Sequence, residues 1–247
     1  MASWTRSYSN RYFVILKRNT IIRFLLVALI TLSATAGTYA QRYYAPNVSI
    51  GGKAGVTLSQ MSFSPGIRQS MLMGGMAGIA FRYTEERHFG LIAELNVEQR
   101  GWKENFEDLP FEYQRTLTYI QIPLLTHIYF GSRRVKGFVN LGPEVGYMIA
   151  SGTKSNFDYR NPSSVAGFPM HNRMTEQMYT EVKNKFDYGI SAGLGLEVFL
   201  NRRNSILLEG RFYYGLGNIF PASKADTFAA SRSMSVMVNL GYMFRIK

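Results

Sequence analysis

At 247 residues the chain has room for one substantial domain, and its lack of cysteine removes disulfides, thiolate metal sites and cysteine-linked lipid anchors. The formal net charge is +12, but Arg6, Arg11, Lys17, Arg18 and Arg23 all precede residue 40, where no acidic residue occurs, so the remainder carries about +7. No zinc-finger, helix-turn-helix or aromatic-basic RNA-binding pattern accompanies this excess, which argues against a nucleic-acid partner.

The basic leader runs into the apolar stretch FLLVALITL (Phe24 to Leu32) and then the small-residue run SATAGTYAQ. A positive region, a short apolar core and a small-residue exit are the three parts of a secretory signal peptide. The core falls well short of the ~20 apolar residues that a membrane-spanning helix needs. Cleavage could follow Ala36 or Ala40, and Ala40 is favoured; the expected division is a signal peptide over 1–40 and one exported domain over 41–247.

Beyond residue 41 no long helical pattern appears. Alternating segments recur instead, at about 47–59, 71–83, 89–101, 116–130, 135–150, 186–200, 204–217 and 233–246. Period-2 alternation marks strands whose two faces meet different surroundings. Each segment is long enough to cross a bilayer as a tilted strand, which takes about 9–11 residues. In the third, Phe89, Leu91, Ala93, Leu95 and Val97 share one face, and Glu94, Asn96, Glu98 and Arg100 the other. The sixth sets Phe186, Tyr188, Ile190, Leu194, Leu196 and Val198 against Asp187, Ser191, Glu197 and three glycines. Throughout, one face is aliphatic and aromatic while the other mixes charges with glycine.

The connections sort by length. TEERH, GSRR and NRRN are tight, whereas those near 60–70, 102–115, 151–185 and 218–232 are long, and short and long alternate without exception. In an antiparallel meander all short turns then fall at one end and all long loops at the other, as in outer-membrane barrels. Aromatic residues gather near segment ends (Phe89, Phe130, Tyr147, Phe186, Tyr188, Tyr214, Tyr242, Phe244), where interfacial girdles belong. The fold expected is all-β, an eight-stranded antiparallel up-and-down transmembrane β-barrel in the outer membrane. A soluble lipocalin-like barrel with the opposite facing is the rival, and alternation alone does not exclude it.

Two stretches resemble the PorT-type family of Bacteroidetes outer-membrane β-barrel proteins: LTYIQIPLLTHIYFG (117–131) and VNLGPEVGYMIASG (139–152). The resemblance in strand layout extends over about 42–247. It implies an eight-stranded outer-membrane barrel with a part in type IX protein secretion, and hence partners among secretion-machinery proteins besides outer-membrane lipid. Members of a barrel family share a fold more reliably than a job. Surface adhesion or passage of small solutes therefore stays open as an alternative without a secretion role.

The polar face carries Lys53, Arg82, Glu94, Glu98, Arg100, Glu144, Asp187, Glu197, Glu209, Arg211 and Arg245. Eight strands leave an interior just wide enough for side chains to fill, and buried charges must be paired. These eleven residues are the candidate lumen charge network, read as a salt-bridged plug. His88, His127 and His171 lack metal-ligand spacing, so no metal is expected. His171 shares the longest loop with Asp158, Ser163 and Ser164, but such scatter meets no catalytic geometry. The glycines of GGMAG (74–78) and GLG (193–195) lie inside strands and suggest no phosphate loop. No enzyme activity, cofactor or small-molecule substrate is predicted. The paired arginines Arg133–Arg134 and Arg202–Arg203 read as solvated turn charges, or as contacts to anionic headgroups or an acidic periplasmic partner. The longest loop, with its aromatic and methionine residues, is where partner contact is placed first.

Overall fold

The computed structural model describes residues 46–85, 88–107, 109–222 and 227–246. The expected signal peptide and its cleavage site lie outside the described residues. Eight long strands are present: β1 (Asn47–Ser64), β3 (Leu72–Thr84), β4 (Phe89–Glu104), β5 (Tyr113–Gly131), β6 (Val135–Ser155), β7 (Phe186–Phe199), β8 (Asn204–Gly215) and β9 (Ala230–Arg245). A two-residue strand, β2 (Gln69–Ser70), pairs with the end of β4. All the neighbouring pairs are antiparallel. The sheet order is β2-β4-β3-β1-β9-β8-β7-β6-β5, and pairing of β4 with β5 closes the ring. Closure leaves the long strands no unpaired edge, which strands in lipid require.

The facing is inverted relative to a soluble barrel. Along β4, Phe89, Leu91, Leu95 and Val97 are exposed, whereas Glu94, Asn96, Glu98 and Arg100 are buried. On β7, Leu194 is 71% exposed while Asp187 and Glu197 are each 2% exposed. Ile122, Leu124, Leu208, Val238 and Leu240 continue the outer apolar band around the ring. Surface of this kind suits hydrocarbon and not water. Among the described residues no helix is long and apolar enough to cross a membrane; the chain crosses with strands.

The ends of β3 and β4, of β5 and β6, and of β7 and β8 that the short connections join all fall at one end of the barrel, and the opposite strand ends at the other. At that second end β1, β4, β5, β6 and β9 run further than alternation predicts, β7 starts at the expected residue, and β3 and β8 fall one and two residues short. β1 reaches Ser64 because Gln60–Ser64 pair with Ala230–Met234, and β5 starts at Tyr113 because Tyr113–Thr118 pair with Ala150–Ser155. These extensions carry polar outer faces, so no lipid-facing stripe betrays them in the sequence. β2 is likewise invisible there, since two residues carry no periodicity.

The long loops fold back over the barrel mouth. Phe106, Phe168, Met178, Val182, Ile219, Phe220 and Phe228 form one buried cluster with Met61, Phe63, Trp102, Tyr113, Leu117, Tyr119 and Met148 from the strand ends. Phe63 meets Trp102 edge-on at 5.5 Å between ring centres and stacks with Phe220 at 6.0 Å. This cap is the only large apolar core among the described residues, because the barrel interior below it is polar.

Candidate functional site

The lumen is built from the inward positions of the strands, and glycine on neighbouring strands makes room for long charged side chains. At Gly193, for example, a Cβ would lie 2.7 Å from the Glu209 carboxylate, so any larger residue would displace that group.

Ten of the eleven predicted lumen residues are buried together: Lys53, Arg82, Glu94, Glu98, Arg100, Glu144, Asp187, Glu197, Glu209 and Arg211. Toward the short-turn end, Arg82 donates two hydrogen bonds to Glu197, at 2.9 and 2.7 Å, and Ser205 donates a third to the same carboxylate. In the middle, Arg211 grips Glu94 at 2.7 and 2.8 Å and Glu209 at 2.9 Å. Lys53 adds its ammonium to Glu94 at 2.5 Å and lies 3.6 Å from Glu209. His127 and Asn140 extend this layer: their side chains meet at 2.7 Å, and Asn140 donates to Glu209 at 2.7 Å. Charge-assisted, two-pronged bonds of this kind are the strongest that side chains make, and here they join strands on opposite sides of the ring.

Nearer the mouth, the Arg100 guanidinium is held between the rings of Tyr119 and Tyr213, 4.3 Å from each ring centre. Asp187 lies 3.5 Å from it. Glu98 accepts a hydrogen bond from Gln121, and Glu144 one from Ser191. Six buried carboxylates thus face four buried cations along the lumen.

Arg245, the eleventh, is less buried than the other ten. It is half-buried at the end of β9 and forms no ion pair among the described residues. It pairs with Ser49, and its N–H donates to the Arg203 carbonyl in the last short turn, which places it at the short-turn end of the barrel.

Above the lumen the cap is clamped by a second polar set that the sequence did not single out. Glu104, at the end of β4, accepts from Gln177 at 2.9 Å and from Arg173 at 3.1 Å. Burial pushes the Glu104 carboxyl up to about 7, although its bonds to Gln177 and Arg173 pull the other way. Tyr113 donates to the Met178 carbonyl at 2.8 Å and Arg115 to the Thr180 carbonyl at 2.6 Å, so both hold the short helix α1 (Glu176–Tyr179) and its C-terminal end. Only the aromatic density of the loops hinted at this cap. Phe168 and Met178, in the loop where partner contact is expected, face inward, while Met170 and Tyr179 remain exposed.

The loop residues weighed for catalysis do not assemble. The Ser163 and Ser164 hydroxyls bond to Asn161, and Asp158 accepts from the Arg160 backbone. His171 is exposed and lines a separate cleft with Arg68 and Arg173. Among the described residues no cluster of histidine and carboxylate side chains could hold a metal ion.

The sequence model of a family described as outer membrane protein beta-barrel domain matches residues 39–221. No curated protein matches the chain. Among solved structures, OprG of Pseudomonas aeruginosa is similar at 14% identity and TM-score 0.48, covering 83% of this chain and 97% of its own. A major outer membrane protein of Thermus thermophilus is similar at 11% identity and TM-score 0.43, covering 82% of this chain and 100% of its own. Ail of Yersinia pestis, solved with the heparin analogue sucrose octasulfate, is similar at 13% identity and TM-score 0.38, covering 80% of this chain and 99% of its own.

Proposed function

The chain belongs to the family of outer membrane β-barrel domains, and from that premise we propose that it is a closed, non-enzymatic scaffold barrel serving as a PorT-like accessory component of type IX protein secretion. The observation that carries the closed reading is the Arg211–Glu94–Lys53–Glu209 cluster, which joins three strands across the lumen with bonds of 2.5–2.9 Å. Side chains locked in this way leave a solute no path that avoids breaking buried ion pairs. The aromatic cap adds a second seal at the mouth. A barrel sealed twice is suited to holding partners in the membrane and not to passing cargo through its own lumen. The secretion role itself rests on the resemblance of residues 117–131 and 139–152 to PorT-type barrels. Deleting the gene tests it: loss of type IX cargo from the cell surface is expected, and undiminished cargo release overturns the role.

A further inference from the structure

A second feature lies outside the lumen, on the wall of the barrel at its long-loop end. There Tyr147 of β6 and Phe186 of β7 are cross-strand partners, and Tyr188 lies two residues along from Phe186. The rings of Phe186 and Tyr188 stack with centres 6.2 Å apart, and all three aromatic residues face outward. With Leu216 they floor an open cleft of about 630 Å³ whose upper wall carries Lys183 and Lys185. No acidic residue lines it among the described residues, and neither ammonium has a carboxylate partner among them.

The backbone that presents the two lysines is anchored. Met148 N–H donates to the Lys185 carbonyl at 2.8 Å, and the Asn184 side chain donates to the Asn218 carbonyl at 2.8 Å. Below the cleft the wall continues as bare aliphatic surface through Val145 and Ile190, 39% and 49% exposed. From top to bottom the site reads as two cations, an aromatic belt and a hydrocarbon track. That order matches an amphiphile standing in the membrane with an anionic head, a ring-bearing shoulder and acyl chains. Because long loops of outer-membrane barrels are external, the site faces the outer leaflet.

We propose that this cleft binds a phosphorylated glycolipid of the outer leaflet. Lys183 and Lys185 contact phosphate oxygens, Tyr147, Phe186 and Tyr188 pack against the sugar rings, and the acyl chains lie along Val145 and Ile190. The site is independent of the lumen and of any secretion role.

The test is native mass spectrometry of the detergent-purified full chain titrated with bisphosphorylated lipid A, with phosphatidylethanolamine and inorganic phosphate run in parallel. Lipid A is expected to be retained in preference to phosphatidylethanolamine, and inorganic phosphate at the same concentration is expected not to displace it. The variant Lys183→Gln/Lys185→Gln is expected to lose retention by about tenfold or more, as two headgroup cations imply. Arg202→Gln/Arg203→Gln, which removes two charges at the opposite end, is expected to retain lipid A like the parent. Both lysines are exposed, and heat-dependent gel mobility confirms that each variant is folded. Equal retention by the lysine variant, equal loss in the arginine variant, or displacement by inorganic phosphate would each overturn the proposal.

Discussion

Arg211 of β8 and Glu94 of β4 meet across the barrel with two parallel hydrogen bonds of 2.7 and 2.8 Å, although 117 residues separate them in sequence. Both are almost wholly buried, and Lys53 shares the same carboxylate. Glu94 is therefore the anion on which two cations depend. Glu94→Leu leaves Lys53 and Arg211 with Glu209 alone, and an uncompensated buried charge costs about 3–5 kcal/mol. Unfolding in urea, followed by gel mobility in detergent or lipid, should show a loss of this order.

The Arg82–Glu197 pair offers a cleaner cycle, because neither residue ion-pairs elsewhere among the described residues. Arg82→Met alone should destabilise by a similar ~3–5 kcal/mol. Adding Glu197→Met should recover most of that loss, since a matched apolar replacement removes both desolvation penalties. A double variant as unstable as the single one would mean that the carboxylate matters for its bond from Ser205 instead.

In planar bilayers the folded chain should give no steady current. Replacing residues 160–180 with a flexible linker takes Phe168 and Met178 out of the cap but leaves the charged layers of the lumen in place. That variant should also stay near baseline. Steady conductance appearing on loop replacement would place the seal in the cap and not in the ion pairs.

The cap itself should respond to pH through Glu104. Its folded-state carboxyl is raised from about 4.5 to about 7, chiefly by burial. A raised carboxyl binds its proton more tightly in the docked state, so its contribution to docking is complete below about 4.5 and is lost as pH rises through about 7. Hydrogen exchange over α1, corrected for the intrinsic rate, should therefore be slower at pH 5 than at pH 8. Glu104→Gln should flatten that difference.

Met178 is 1% exposed and packs within the cap, and its carbonyl is held by Tyr113. Met178→Ala should weaken cap docking by about 2–5 kcal/mol, the usual range for a buried methionine truncated in a core. Limited proteolysis should then cut within 156–185 while heat-dependent gel mobility of the barrel stays unchanged. Loss of both together would show that cap and barrel unfold as one unit.

Much of this architecture was legible in the sequence because a membrane barrel imposes period 2 and loop sorting on every strand. Leu91, Leu95 and Val97 had to share a face, and Glu94, Glu98 and Arg100 the opposite one, in any extended chain. What the sequence could not mark was strand length beyond the membrane. Gln60–Ser64 and Ser151–Ser155 become strand through their partners, with no lipid-facing apolar stripe on their outer face. Nor did it reveal that Phe106, Phe168 and Phe220 would meet, since they come from three separate loops.

By itself, then, the sequence determined which residues of each strand share a face, because the pleat places alternate residues on opposite sides whatever the partner strand. It also placed Glu94, Glu98 and Arg100 on one face of a strand, but it gave no sign that Glu104 would be buried under the cap. Only the tertiary structure decided who pairs with whom: Arg82 with Glu197, Arg211 and Lys53 with Glu94, and Arg245 with none among the described residues. Those choices depend on the height at which each strand's inward position lands after the ring closes. That height is set by the register of all eight strands together, and no single segment encodes it.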